Sequence, residues 1–164
     1  MNKNINILIV CYANITRSPF FAEYLAKLFQ EIPYFNKMNF VISSAGIRAV
    51  KGAGANQVIA VIANMNGFSL RNHRSRPLDQ AIVNRSHLIL TMEESQKEEI
   101  IKQFPQMKEK VFTILEFGRR PGELESIDVP DPTGMEVENY QAFMELALRE
   151  APRVRDAIEF RFMR

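Results

Sequence analysis

A cysteine at position 11 and an arginine at position 17 are separated by the five residues of "YANIT", and Ser18 and Pro19 follow directly. A loop of that length, running from a strand into a helix, can aim several backbone N–H groups inward. With the positive end of the helix, those donors make an anion site. The same field stabilises negative charge on the Cys11 sulfur, the form in which a cysteine attacks. Arg17, in the first helical turn, can offer its planar fork to two oxygens of a tetrahedral oxyanion, which a lysine cannot do. Ser18 can donate its hydroxyl to the sulfur and make it a better leaving group. These groups meet the needs of nucleophilic phosphoryl transfer, with a nucleophile beneath the phosphorus and donors around its equatorial oxygens. Taken alone, Cys-x5-Arg also fits a buried cysteine at a strand end and an exposed helix arginine. The strand before, the helix after and Ser18-Pro19 favour the chemical reading. Neither a Walker loop nor a dinucleotide-type glycine pattern occurs in the chain.

Such a transfer also needs its leaving oxygen protonated. The stretch "DVPDPTG" (128–134) carries two aspartates, and Pro130 and Pro132 bracket Asp131 and restrict its backbone. A carboxyl held stiffly over an anion site is placed to serve as general acid. An ordinary Asp-Pro turn ahead of a helix reads equally well, and spacing alone does not separate the two.

The elements that would position these residues alternate. "NINILIV" (4–10) is a continuous apolar run, as expected of a strand buried on both faces. "SPFFAEYLAKLFQEI" (18–32) places Phe21, Leu25, Leu28 and Phe29 on one helical face. Further strands are predicted over 39–46, 86–92 and 111–115, and helices over 55–66 and 93–104. A long last helix starts near Val137, with Pro152 set to kink or divide it. Strand–helix alternation predicts a four-stranded parallel sheet with helices on both faces, in one α/β domain over 1–164. Ligands of such sheets bind at the carboxyl ends of the strands, where the loop after the first strand lies.

Composition narrows the classes. The 164 residues are 46% hydrophobic, with 21 Lys+Arg against 19 Asp+Glu. No basic block marks a nucleic-acid footprint. No run suits a membrane span, and no signal peptide is read at the start. One cysteine makes neither an internal disulfide nor a multi-thiolate metal site, which points to a reducing, cytoplasmic setting.

The ordered motifs resemble the low-molecular-weight protein tyrosine phosphatases. Their loop reads V-C-x-G-N-x-C-R-S-P, against "VCYANITRSP" here, and their acid loop D-[IV]-x-D-P matches "DVPDP". "SSAGIRA", "NHRSRPL" and "HLILTME" are similar to further segments of the family, in the same order. The resemblance implies a flavodoxin-like fold, no cofactor or metal, and a phosphotyrosine-containing protein as partner. Cys11 is then the nucleophile that becomes a phosphocysteine, and Arg17 the phosphate clamp. Asp131 is the general acid and later the base that activates water. Tyr12, Ala13, Asn14, Ile15, Thr16, Arg17 and Ser18 form the phosphate-binding loop. Asn14 holds that loop in an unusual backbone conformation through side-chain hydrogen bonds, and Ser18, Ser44 and His73 support it. His87 reads as structural.

The chain departs from the family at several positions. Ala13 replaces a glycine; if positive φ is required there, alanine costs about 1 kcal/mol or more, and if not, its methyl crowds the phosphate; with Thr133 it keeps open a weakened enzyme or an inert phospho-ligand-binding module. Thr133 stands where relatives often carry an aromatic that walls the pocket, leaving Tyr12 either to line the mouth or to face solvent. Ile15 lacks the hydroxyl that a phosphoarginine-directed branch carries, which disfavours phosphoarginine as substrate. An arsenate-reductase-like enzyme would need further cysteines. Thr16 replaces a second cysteine that in the family can pair with the nucleophile. Peroxide is therefore expected to carry Cys11 on to sulfinic and sulfonic acids, with no thiol to intercept it. Intact-mass spectrometry checks this, and complete reversal by reductant after prolonged peroxide would contradict it.

Overall fold

Ile5, Ile7, Leu8, Ile9 and Val10 are each at most 1% exposed, so the first strand, β1 (Lys3–Cys11), has core on both of its faces. The computed structural model describes residues 3–31 and 38–164. Within them β1 pairs in parallel with β2 (Met38–Gly46) on one side and β3 (Leu88–Thr91) on the other. β4 (Val111–Thr113) extends the sheet beyond β3, giving the order β2-β1-β3-β4, all parallel.

Because strand side chains alternate, β1 feeds two separate cores. Ile5, Ile7, Ile9 and Cys11 pack with α1 (Arg17–Gln30), α2 (Gln57–Met65) and α5 (Val137–Phe162). Leu8 and Val10 pack with α3 (Gln80–Arg85) and α4 (Glu94–Gln103). This is the expected sheet with helices on both faces. The Ile32 end of the expected first helix lies outside the described residues, as do Met1 and Asn2.

Three expectations are corrected. The fourth strand stops at Thr113, and the next residues turn away. α3 was not anticipated; Asp79 starts it by accepting the Ile82 N–H at 2.7 Å. α5 is one unbroken helix despite Pro152. An interior proline costs about 3 kcal/mol, but Ala147 and Ala151 before it and Val154 and Ile158 after it are fully buried in the same core. Burying one such aliphatic side chain contributes about 1.5–3 kcal/mol, so packing outweighs the break.

Register brings the strand ends together: Val10 pairs with Thr91, and Cys11 with Gly46. The connector carrying Asp128 and Asp131 returns to this edge, where Val129 N–H donates to Met92 O at 2.8 Å. No helix among the described residues is long and apolar enough to cross a membrane.

The start of that connector is fastened to α5 by a buried acid. Glu150, 4% exposed, accepts from Arg119 at 3.0 Å and from Arg153 at 2.5 Å. Arg153 also donates to the carbonyls of Phe117 and Ile114. Burial alone would raise the Glu150 pKa, but the hydrogen bonds and charges of Arg119 and Arg153 outweigh it and hold the carboxyl below its ordinary 4.5. The charged form is thus the folded form. Its stabilisation is complete above 4.5 and is lost as pH falls through the depressed value. Glu150→Gln is expected to lower stability by about 2–3 kcal/mol at neutral pH. Urea unfolding should show that difference shrinking below pH 4.5.

Candidate active site

Cys11 ends β1 at the floor of the loop and is 3% exposed. Its Sγ lies 2.9 Å from Ser18 Oγ and receives the Asn14 backbone N–H at 3.3 Å. Asn14 has φ +57°, the one positive φ among described non-glycine residues. Ala13 therefore does not occupy the left-handed region, and the conditional strain attached to its methyl does not arise.

The side chain of Asn14 sets the direction of the bonds around the sulfur. Its Oδ1 accepts the Arg76 backbone N–H at 3.0 Å. The amide nitrogen must then face the other way, where it donates to Ser18 Oγ at 2.8 Å and Ser44 Oγ at 2.9 Å. With its oxygen accepting from Asn14, Ser18 has its proton free for the sulfur. The Asn14 carbonyl meets His73 Nε2 at 2.6 Å. Burial holds the His73 pKa below the ordinary 6.5; the Asn14 carbonyl pulls it up, and Arg74 and Arg76 push it further down. His73 is thus a neutral imidazole at pH 7, protonated on Nε2 and donating to the loop.

The loop is seated closely against the end of β2. A side-chain carbon on Gly46 would lie 2.6 Å from Tyr12 O and 2.9 Å from Asn14 N, so only glycine fits. The next two residues donate back to the loop, Ile47 to Cys11 O at 3.0 Å and Arg48 to Tyr12 O at 2.9 Å. On the far side, Asn56 N–H reaches Ile15 O at 2.8 Å. Tyr12 itself is 53% exposed, at the rim.

Arg17 opens α1 and is 2% exposed. Its Nη1 donates to Val129 O at 2.7 Å and lies 3.4 Å from Glu93 Oε1, while its Nη2 lies 3.4 Å from Asp131 Oδ2. A buried guanidinium needs such compensation. It also brings the acid loop over the cysteine loop. Asp131 Oδ1 accepts the Thr133 N–H at 3.0 Å, and the Thr133 hydroxyl donates to Thr16 Oγ1 at 2.9 Å. Asp128, the other aspartate of the stretch, accepts the Glu94 N–H at 2.7 Å and serves α4. His87 Nδ1 accepts the Asn6 N–H at 3.0 Å, away from the loop.

The structure therefore joins Cys11, Asn14, Ser18, Ser44 and His73 in one hydrogen-bonded network, and Arg17, from the same loop, with Asp131 in a second. Sequence reasoning passed over three partners. Glu93 follows β3 at the carboxyl edge, and that position was its signal. Arg76 sat inside the quoted "NHRSRPL". Val129 contributes only a carbonyl, which no residue type announces.

A family model for low molecular weight phosphotyrosine protein phosphatase matches residues 6–159. The chain is 32% identical over 153 residues to the probable low molecular weight protein-tyrosine-phosphatase EpsP of Ralstonia nicotianae, covering 91% of this chain and 95% of that one. It is similar to the crystal structure of the tyrosine phosphatase Wzb from Escherichia coli K30 in complex with sulphate, with TM-score 0.78, 27% identity and coverage of 93% and 97%. The YwlE arginine phosphatase of Geobacillus stearothermophilus is similar at TM-score 0.79, 25% identity and coverage of 97% and 96%. With the family's features matched over most of its length, this chain belongs to the low molecular weight phosphotyrosine protein phosphatases, a family of hydrolases.

Proposed function

We propose that the protein hydrolyses phosphotyrosine in proteins through a phosphocysteine at Cys11. One observation carries the reading: a buried sulfur with a hydroxyl donor at 2.9 Å shares its loop with a buried guanidinium, and a carboxylate lies 3.4 Å from that guanidinium. The Cys11 sulfur attacks phosphorus in line with the ester oxygen. Arg17 holds two equatorial oxygens through its fork, and the Asn14 N–H and the helix start add positive potential. Asp131 gives its proton to the leaving phenol oxygen as the P–O bond breaks. The carboxylate so formed then takes a proton from water, whose oxygen attacks the phosphocysteine. Ser18 donates to the departing sulfur, and inorganic phosphate leaves.

The depth of Cys11 supports an aryl substrate, because a short phosphoserine side chain would not bring its phosphorus down to the sulfur. Ile15 is half-buried in the loop and brings no polar group to a phosphoguanidinium, so the resemblance to an arginine phosphatase reflects fold rather than substrate. Ala13 is free of left-handed strain, and a loop built only to bind would need no general acid, so Asp131 speaks against an inert binding module. A nucleophilic thiol without a pairing cysteine suits the reducing cytoplasm.

Wild type is expected to hydrolyse p-nitrophenyl phosphate at mildly acidic pH at a rate unchanged by chelator, and to act on a phosphotyrosine peptide far faster than on phosphoarginine. Cys11→Ser should abolish turnover. Asp131→Ala should lower it about 10²–10⁴-fold, most for poor leaving groups. Turnover by the serine variant, or loss with chelator, would remove the assignment.

A further inference from the structure

Two of the positions at which the chain departs from its family touch each other, and we infer that they form a positioning device: the Thr16–Thr133 hydroxyl pair holds the acid loop, and with it Asp131, over the cysteine loop. This rests on the reading of Asp131 as general acid.

The geometry of Thr16 comes first. It is the N-cap of α1 and 2% exposed, yet its side chain makes none of the capping bonds a threonine ordinarily offers there. It accepts instead from the Thr133 hydroxyl at 2.9 Å. A buried hydroxyl needs a partner, and this one has found it across 117 residues of chain. Thr133 in turn makes two bonds at once, its backbone N–H fixing Asp131 Oδ1 at 3.0 Å. One residue therefore joins the acid to the phosphate loop.

The other ties on the acid loop show why that bond matters during turnover. Asp131 Oδ2 rests near Arg17 at 3.4 Å. A bound phosphate dianion competes for the same guanidinium, so that tie weakens when the acid is needed. Val129 and Gly134 are anchored, the latter to Tyr140 Oη at 3.2 Å, but they lie two and three residues from Asp131. A partly open cavity of about 240 Å³ flanks the loop, lined by Pro130, Asp131, Pro132 and Phe143 among others. The Thr16–Thr133 bond does not involve Arg17 and persists when substrate takes the guanidinium.

The test compares kcat/KM for aryl phosphates of graded leaving-group pKa, with Thr16→Val, Thr133→Val, the double variant, and Thr16→Ser and Thr133→Ser. Each valine variant should lower kcat/KM about five- to tenfold for phenyl phosphate, and less for p-nitrophenyl phosphate. The double variant should be no worse than either single one, and the serine variants should return close to wild type. Multiplying losses in the double variant, equal losses across leaving groups, or serine variants as slow as valine ones overturn the inference. Hydrogen exchange of residues 129–134 in the free protein, which should quicken in both valine variants, is an independent readout. If wild type hydrolyses neither ester, the functional reading fails, and exchange alone decides: unchanged protection there overturns the inference.

Discussion

Asn14 holds a left-handed backbone with every one of its polar groups engaged. Its N–H points to the Cys11 sulfur, and its carbonyl accepts from His73. Its side-chain oxygen accepts from Arg76, and its side-chain nitrogen donates to Ser18 and Ser44. The left-handed region costs a non-glycine residue roughly 1–2 kcal/mol, somewhat less for asparagine. Five hydrogen bonds at about 1 kcal/mol net each exceed that. Glycine would adopt the conformation freely but would leave Ser18, Ser44 and the Arg76 amide without their shared partner. The strain is therefore concentrated at the one position that can offset it. The curl that turns the loop's amide toward the sulfur depends on that position.

The second constraint is the burial of a charge. Arg17 is enclosed because it begins a helix packed against the sheet, and its charge is balanced by Glu93 from the end of β3 and Asp131 from the connector. Those two segments also bond each other directly, through Val129 N–H to Met92 O and Glu94 N–H to Asp128 Oδ1. Electrostatic compensation of one guanidinium thus adds to those bonds in holding Asp131 beside the Cys11 loop at the carboxyl edge of the sheet. On the proposed reading the same guanidinium binds the substrate's oxyanion, so its contacts with Glu93 and Asp131 are the ones substrate competes with.

Much of this was legible in the residues, and the reasons are physical. β1 read clearly because a strand buried on both faces tolerates no polar interruption. Cys11, Arg17 and Ser18 read clearly because local spacing from a strand end decides their placement. α3 did not, since its β-branched Ile82 and Val83 suit a strand and its start depends on one aspartate cap. The unbroken α5 was hidden because local propensity opposed it and tertiary packing prevailed. Asp131 could not be told from a turn residue by spacing, since what distinguishes it is a partner 114 residues away. Glu93 and Val129 were missed for the same reason: their roles exist only once the buried arginine draws them in.

The substitutions in the loop follow from where its requirements fall. Ala13 is tolerated because the positive φ belongs to Asn14, not to its neighbour. Position 16 is buried beside the acid loop, so it admits a small side chain of either kind. A thiol there can protect the nucleophile from oxidation; a hydroxyl can bind the acid loop. One atom cannot do both, because a sulfur is a weak acceptor at the distance where an oxygen bonds well. With Thr133 opposite, Thr16 presents a hydroxyl, and that hydroxyl bonds the loop that carries Asp131.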